Sequence, residues 1–315
     1  MQRLLVILFM WVIIGNFSGS AAGLKESFER LGRQVLVVTD GDGFKGYRSS
    51  DYYLLPQAIV KRLLAEFIVV YYCFRAKRIV VQDYMPFVRF NFLAYLLFWI
   101  ALRLKKGVYY VVGDDPQFYS LGPILAPEID LWERIKLSDQ HRRRMRKIDR
   151  VLYNVFILSV NRIVGGAFLY ELIYKSHNKY VGRCNFITRL GGLGKNNFET
   201  IRLFHGIQSQ RAKVKGSDLV RSLEDKILVT IDLPFSEYIE AKLESNVVID
   251  QVVGYEPGMN AIESVLSSGQ IVLCGYNYRW CKNKTLKGLD VYDKNSLVKA
   301  IKKLKSENLD EIFHE

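Results

Sequence analysis

The chain contains 315 residues with a formal net charge of +13; 50% of its residues are hydrophobic and 24% are charged. This length suits two domains with separate cores, and this hydrophobic content excludes an intrinsically disordered chain. A strongly basic balance is typical of proteins that bind nucleic acid, anionic membranes or phosphorylated small molecules. The densest basic run, 141–147, contains no tryptophan, tyrosine, phenylalanine or glycine. We therefore expect no nucleic-acid partner, because single-strand binding surfaces interleave cations with aromatic rings.

Cysteine and histidine usage predicts a metal-free protein of a reducing compartment. The four cysteines, Cys73, Cys184, Cys274 and Cys281, form no Cys-x-x-Cys pair, and the four histidines are dispersed. Structural zinc sites need closely spaced ligands, and proteins stapled by disulfides are usually smaller than this one. We therefore expect no metal site and a cytoplasmic location.

The N-terminal segment has two interpretations. The apolar run Leu4–Ile14 is followed by small residues, as in a secretory signal segment. The run also suits a buried first strand, because an amphipathic helix over Ala22–Leu31 and a second apolar strand over Gln34–Thr39 follow it. That spacing is half of a nucleotide-binding βαβ unit and favours the strand. Gly15 and Gly19 then shape the strand-to-helix turn, which is either a place of close ligand approach or a plain tight turn.

The rest of the first half alternates apolar strand-like runs with longer helical runs, which predicts a parallel sheet with helices on both faces. Further strands are predicted at Arg78–Val81, Val108–Val112 and Arg162–Val164, and helices at Pro56–Phe74, Phe90–Lys105 and Asp130–Leu158.

Two of the helical runs, Ile59–Phe74 and Phe92–Leu104, are unusually apolar. Both are shorter than the ~20 apolar residues that cross a bilayer, so we expect no transmembrane span. They suit either core helices or helices lying at an anionic membrane surface. The second interpretation makes the protein peripheral at the inner face of the cell membrane.

A glycine-rich polar stretch near Val181–Asn197 is the best linker candidate. We therefore predict an N-terminal Rossmann-like domain over 1–185 and a C-terminal Rossmann-like domain over 186–315. The second domain repeats the alternation, with strands predicted at 200–205, 226–231, 246–250 and 270–274 and helices at 217–225, 235–244, 258–267 and 295–306.

Two aspartates follow a predicted strand of the first domain, at the edge where open α/β sheets bind ligands. Asp114 and Asp115 come directly after Val108–Val112 and Gly113. One of them can orient an acceptor hydroxyl or a donor sugar. The alternative is that one of them only caps the following turn.

A second group of candidates follows the strands of the second domain. His205 ends one strand and is either a catalytic group or a buried core histidine, while Arg211 and Lys215 follow it closely. Arginine and lysine are the usual partners of a diphosphate, and their charge stabilises a leaving nucleoside diphosphate. A solvated basic surface is the alternative for this pair.

A third group opens a later helix of the second domain. Gly258 and Met259 begin that helix, and its N-terminal amides suit an anion such as a diphosphate. Glu263 lies one to two turns further along, where its carboxylate can accept from the two hydroxyls of a ribose. The alternative for Glu263 is a carboxylate that only complements the helix dipole.

These motifs resemble bacterial GT-B glycosyltransferases of the family-1/family-4 type used in surface polysaccharide assembly. The residues that carry the resemblance are Gly15–Ala21, Leu31-Gly32, Val38–Gly43, Gly113–Asp115, Phe204–Ile207, Arg211, Lys215–Asp218, Leu233–Tyr238, Val248–Gln251 and Pro257–Glu263. The resemblance covers nearly the whole chain, and its C-terminal block is the more specific part.

The resemblance implies two Rossmann-like domains that face a cleft, the GT-B arrangement, with α/β topology in each. It implies transfer of a sugar from a UDP- or GDP-linked donor to a hydroxyl of a lipid-linked saccharide acceptor, with retention of configuration and without a metal. Arg211 and Lys215 would contact the donor diphosphate, Glu263 the ribose, and the Gly15 loop and Asp114 the acceptor.

Two other classes stay open at this point. Glu256 and Glu263 have six residues between them, where many family members have two glutamates with seven between them, and the chain stops at Glu315. These departures favour a non-catalytic or weakly active binding protein with the same fold. Another nucleotide-dependent doubly wound enzyme, such as an epimerase, is the remaining alternative, but no Tyr-x-x-x-Lys pair with a cofactor fingerprint stands out.

Overall fold

The computed structural model describes residues 10–15, 20–40, 52–87, 91–113, 115–127, 131–136, 145–184, 200–207, 209, 212–213, 215–223, 227–253, 258–268, 270–275, 291 and 293–306. The chain divides into two compact units. The first comprises Met1–Pro127 and Ser138–Thr188, and the second Glu128–Leu137 and Arg189–Glu315.

The first unit contains a parallel sheet of seven described strands in the order β3-β2-β1-β4-β5-β6-β7. The strands are β1 Trp11–Ile14, β2 Val35–Thr39, β3 Tyr52–Leu54, β4 Arg78–Val81, β5 Val108–Val111, β6 Arg162–Gly165 and β7 Tyr180–Arg183. Its helices are α1 Ser20–Arg30, α2 Ile59–Arg75, α3 Phe92–Leu104, α4 Pro116–Leu125, α6 Lys147–Ser159 and α7 Phe168–Tyr174. The helix between α4 and α6 in the chain, α5 Leu131–Lys136, belongs to the second unit. The predicted α/β class is confirmed for this part of the chain.

Alternate strand residues point to opposite sides of this sheet and are buried on both, because helices cover both faces. Ile13, Val80 and Tyr110 pack with Leu24 of α1 on one face. On the other face, Tyr109 meets Phe156 of α6, with 4.9 Å between ring centroids. Helix α3 packs between α2 and α6 on that second face.

The second unit contains a parallel sheet of four described strands in the order β11-β10-β8-β9. The strands are β8 Leu203–Ile207, β9 Ile227–Ile231, β10 Val247–Ile249 and β11 Ile271–Leu273. The helices are α5 Leu131–Lys136, α8 Ser217–Arg221, α9 Phe235–Leu243, α10 Met259–Ser268 and α11 Lys294–Ser306. Its core joins the strands to Leu297, Ile301 and Leu304 of α11. The second predicted parallel sheet is thereby confirmed.

The predicted single helix over Asp130–Leu158 is wrong. Its first part, α5, buries Trp132 and Ile135, and Arg134 donates to the Lys213 carbonyl and the Asp218 carboxylate, all within the second unit. Its last part, α6, follows Arg146 in an extended conformation and packs in the first unit. The two ends are separate helices because they contribute to different cores.

The predicted linker overlaps a strand. Strand β7 includes residues 181–183 and pairs with β6, with Gly165 opposite Arg183. Residues 185–197 of the predicted linker lie outside the described part of the chain, as does the apolar run before residue 10. No helix within the described ranges is long and apolar enough to cross a membrane.

Candidate functional site

The strand order of the second sheet places a crevice at one point of its edge. Strand β8 pairs with β9 on one side and with β10 on the other, so the chain reverses direction across the sheet between β8 and β10. At such a switch point the connections leave toward opposite faces, and the carboxyl ends of the two strands flank an opening. His205 in β8 and Asp250 after β10 lie at this edge.

His205 is buried, and both of its ring nitrogens form hydrogen bonds. Nδ1 lies 2.8 Å from the main-chain oxygen of Ile249, and Nε2 lies 2.9 Å from the Ser217 hydroxyl. Because a carbonyl oxygen can only accept, Nδ1 carries the proton, and in the neutral ring Nε2 accepts from Ser217. This geometry is that of the satisfied core histidine that the sequence left open as the alternative, and a catalytic role of His205 stays a prediction. A role as proton acceptor would require release of Ser217.

The surroundings of His205 keep its ring neutral. Burial is the main cause that lowers its pKa, and the charges of Lys215 and Arg221 lower it further. The hydrogen bond to the Ile249 carbonyl and the charge of Asp250 act in the opposite direction without reversing the shift.

We predict an acid sensitivity of the second unit that depends on His205. Because the pKa of His205 is depressed in the folded protein, its neutral ring contributes fully to the stability of the second unit above the unfolded value of 6.5. This contribution is lost as the pH falls through the folded pKa, since the unfolded chain binds the proton first. Between about pH 7 and about pH 5, the unfolding free energy of the wild type should therefore fall more steeply than that of His205→Gln. Hydrogen exchange of β8 and β10 measures the difference. A His177→Gln variant in the first unit serves as control, and equal slopes for His205→Gln and wild type would contradict the prediction.

The turn that carries Lys215 packs directly against the segment after β10. The Val252 amide donates to the Lys215 carbonyl at 3.0 Å. Gly216 has a φ of +75°, and a Cβ there would lie 2.6 Å from Cγ2 of Val253. Only glycine fits this combination of left-handed backbone and close contact. Lys215 is therefore held at the switch point, close enough to His205 for its charge to lower that pKa.

The N-terminal end of α10 lies beside the same segment, but one of its amides is occupied. The Gly258 amide, which the sequence predicts to face a diphosphate, donates to Oδ2 of Asp250 at 3.0 Å. The other oxygen of Asp250 accepts from the Asn260 side chain at 3.3 Å. This is a difference from the prediction: the buried carboxylate takes the place of an external anion at Gly258.

Glu263 lies on α10 with only 6% of its surface exposed. Its charge and that of Asp250 raise the pKa of Lys242, against the larger lowering effect of burial. Lys242 is fully buried, and its Nζ lies 3.3 Å from the Asn260 carbonyl. Glu263 therefore takes part in a buried charged group with Lys242 and Asp250, and its contact with a ribose stays a prediction.

Gly15 occupies the corresponding position in the first unit. The first sheet reverses its strand order between β1 and β4, and Gly15 follows β1 with a φ of +96°. A Cβ on Gly15 would lie 3.1 Å from Cβ of Gln82, the residue after β4. The Ser20 hydroxyl at the start of α1 donates to the Gln82 side chain at 3.2 Å. Gly15 and Ser20 therefore lie at the edge where the first sheet would admit a ligand.

Asp115 is the N-cap of α4, the alternative that the sequence left open for the aspartate pair. Its Oδ1 accepts from the Phe118 amide at 2.8 Å. Its Oδ2 accepts from the hydroxyls of Tyr109 at 2.9 Å and Tyr174 at 2.5 Å, and the residue is 1% exposed. Asp115 is therefore a structural residue.

Three of the predicted site residues, Asp114, Arg211 and Gly19, lie outside the described residues. Met259 is described only as the first residue of α10. Of the remaining candidates, the structure brings Lys215, His205 and Gly258 to one edge of the second sheet. It places Glu263 close enough to Lys242 for its charge to act on that lysine, and Gly15 in the other unit. No group of three or more potential metal ligands occurs among the residues described.

Sequence reasoning missed two residues of this group, Asp250 and Lys242. The signal for Asp250 was present, since it is a carboxylate directly after the apolar run Val247–Ile249 and before a glycine-opened helix. The signal for Lys242 was absent, because a lysine in the helix Phe235–Leu243 is indistinguishable in sequence from a solvated one.

Comparison with known proteins gives fold-level likeness alone. No protein-family model matches the chain, and no curated protein matches it. The calicheamicin glycosyltransferase CalG4 aligns over 97% of this chain and 91% of its own, with 12% sequence identity and a TM-score of 0.41. MurG from Acinetobacter baumannii aligns over 97% of this chain and 88% of its own, with 9% identity and a TM-score of 0.35. Because both TM-scores and both identities are low, neither likeness establishes an activity for this chain.

Proposed function

We propose that the protein is a GT-B-type glycosyltransferase that moves a sugar from a nucleotide-sugar donor to a hydroxyl of a saccharide acceptor. The observation that carries the proposal is the arrangement at the switch point of the second sheet. There the Lys215 turn and the start of α10 are both tied to the segment 250–253. A cation and a helix N-terminus beside one crevice suit a diphosphate.

In this proposal the second unit holds the donor. Lys215, together with Arg211, neutralises the nucleoside diphosphate as the glycosidic bond breaks, which lowers the energy of the transition state. Asp250 occupies the Gly258 amide, so the diphosphate would use the amides that follow it in α10 and not that of Gly258. Glu263 would contact the ribose. His205 would contribute by holding Ser217 at the start of α8.

The finer features of the proposal concern the donor and the acceptor. We propose a UDP- or GDP-linked sugar, a lipid-linked saccharide of surface polysaccharide assembly and retention of the anomeric configuration. In a retaining reaction the leaving diphosphate can assist the incoming hydroxyl, so the site needs no dedicated base. Asp114 and the Gly15 turn would face the acceptor.

The test compares two lysines of the same turn. Lys215→Ala should bind UDP or GDP roughly tenfold or more weakly than the wild type, because it loses a charge-assisted contact. Lys213→Ala removes the same charge two residues away from an exposed side chain, and it should bind like the wild type. Isothermal titration calorimetry measures the affinities, and release of the nucleoside diphosphate from a nucleotide-sugar measures the reaction.

The outcomes separate the proposal from its alternatives. Equal binding by Lys215→Ala and wild type would remove Lys215 from the donor site. Binding of NAD(P) in place of UDP or GDP would favour an epimerase-type enzyme. Nucleotide binding without release of product in the presence of any saccharide acceptor would favour a non-catalytic binding protein.

A further inference from the structure

One face of the first unit exposes an unusual amount of apolar surface. The apolar face is formed by the outward sides of α2, α3 and α6, which lie next to one another on the sheet. Its exposed fractions are 65% for Leu64, 56% for Leu93, 52% for Leu96, 43% for Ile100, 49% for Val151 and 69% for Leu158. Contiguous apolar surface of this kind on a folded unit marks an interaction site.

The exposed charged side chains of α2, α3 and α6 are all positive. The two carboxylates on these helices, Glu66 of α2 and Asp149 of α6, are 0% exposed. Exposed cations flank the apolar residues at both ends of the helices: Lys61, Lys147 and Arg150 near the N-terminal ends, and Arg103 and Lys106 near the C-terminal end of α3. The surface is therefore apolar in the middle and positively charged at its margins.

A groove between α3 and α6 opens on this face. It has a volume of ≈ 280 Å³ and is lined mainly by apolar side chains, among them Leu96, Ile100 and Leu158, with Arg103 at its border. Trp99 also lines the groove, and its buried indole nitrogen has no hydrogen-bond partner among the described residues. Buried indole N–H groups usually find an acceptor, and tryptophan is enriched where apolar and polar regions of a membrane meet.

We propose that the apolar face docks onto the surface of an anionic lipid bilayer. The leucine, isoleucine and valine side chains enter the boundary between headgroups and acyl chains, and the flanking lysines and arginines bind the anionic headgroups. The groove receives part of one acyl chain beside Trp99. The proposal concerns the membrane contact of the first unit and does not depend on the proposed donor site of the second.

The charge pattern favours a bilayer over a second copy of the chain. In a symmetric dimer the same patch lies on both subunits, so the cationic margins would face each other. Within the described helices of this face, no exposed carboxylate is present to pair with them. An anionic lipid surface complements the same pattern.

The experiment measures cosedimentation of the full chain with vesicles, without donor or acceptor. The wild type should bind vesicles of equimolar phosphatidylcholine and phosphatidylglycerol, bind phosphatidylcholine vesicles much less, and lose affinity as the salt concentration rises. Leu96→Glu and Ile100→Glu should each weaken binding roughly tenfold or more, because each removes buried apolar contact and adds a repelled charge.

A matched control tests whether the membrane contact lies on the apolar face. Leu31→Glu changes the charge by the same amount as Leu96→Glu and Ile100→Glu. Leu31 is 70% exposed and directly follows α1, on the opposite side of the sheet. This variant should bind vesicles like the wild type. Fluorescence quenching by bromolipids should reach Trp99 and disappear in Trp99→Phe.

Three results would overturn the proposal. The first is no binding to anionic vesicles by the wild type. The second is equal binding by Leu96→Glu, Ile100→Glu and Leu31→Glu, which would place the contact elsewhere. The third is self-association without lipid that Leu96→Glu abolishes, which would assign the face to a second copy. Because vesicle binding and nucleotide binding are measured separately, failure of one proposal leaves the other standing.

Discussion

Replacing Lys242 by methionine should lower the unfolding free energy of the second unit by about 3–5 kcal/mol. Lys242 is 0% exposed, and the carboxylates of Glu263 and Asp250 act on its charge. Methionine preserves most of the apolar stem but leaves both carboxylates in a buried region without this cation. An uncompensated buried charge is among the most destabilising changes that a single substitution can cause. Urea unfolding, with hydrogen exchange of β8 and β10 to assign the loss to this unit, measures the effect.

Two further variants test the explanation. Lys302→Met makes the same substitution at an exposed position of α11, and it should change stability by less than about 0.5 kcal/mol. The double variant Lys242→Met with Glu263→Leu should recover part of the loss, because one of the two buried carboxylates that act on Lys242 is removed as well. If Lys242→Met is no less stable than Lys302→Met, the buried charged group does not stabilise the unit.

The strands at the centre of both sheets could be predicted because each is a short apolar run bounded by polar or turn residues. Val247–Ile249 and Arg78–Val81 are examples, and the structure has strands at both places. A strand buried on both faces has the same sequence signature wherever it occurs in a parallel sheet. Local sequence therefore sufficed for the fold class.

One element that sequence reasoning missed depends on a distant partner. Strand β7, Tyr180–Arg183, contains a glycine and an arginine, and none of its residues is buried. It is a strand because β6 offers a free edge for pairing. The break in the predicted helix Asp130–Leu158 likewise depends on packing, since its two ends are assigned to different units.

The location of the candidate site was predictable, but its internal hydrogen bonds were not. Polar residues after buried strands gather at one edge of a parallel sheet, which is enough to bring Lys215 near Gly258. The hydrogen-bond partners of His205 could not be predicted, because Ile249 and Ser217 contact it only once β10 and α8 have packed against β8. The same reasoning explains Asp250, whose carboxylate accepts from the amide of Gly258, a residue that follows it by eight positions.

Asp115→Ala should destabilise the first unit by about 3–5 kcal/mol, since it removes an N-cap and leaves the buried Tyr109 and Tyr174 hydroxyls without their acceptor. Asp115→Asn should cost less, because an amide oxygen still accepts.

Burial raises the pKa of Asp115, against the lowering effect of its hydrogen bonds. A raised carboxyl pKa stabilises the fold below the unfolded value of 3.8, and this contribution is lost as the pH rises through the folded value. The stability difference between wild type and Asp115→Asn, measured by urea unfolding at a series of pH values, should therefore shrink as the pH rises across that window. A difference that is constant with pH would show that the carboxyl titrates alike in the folded and unfolded chain.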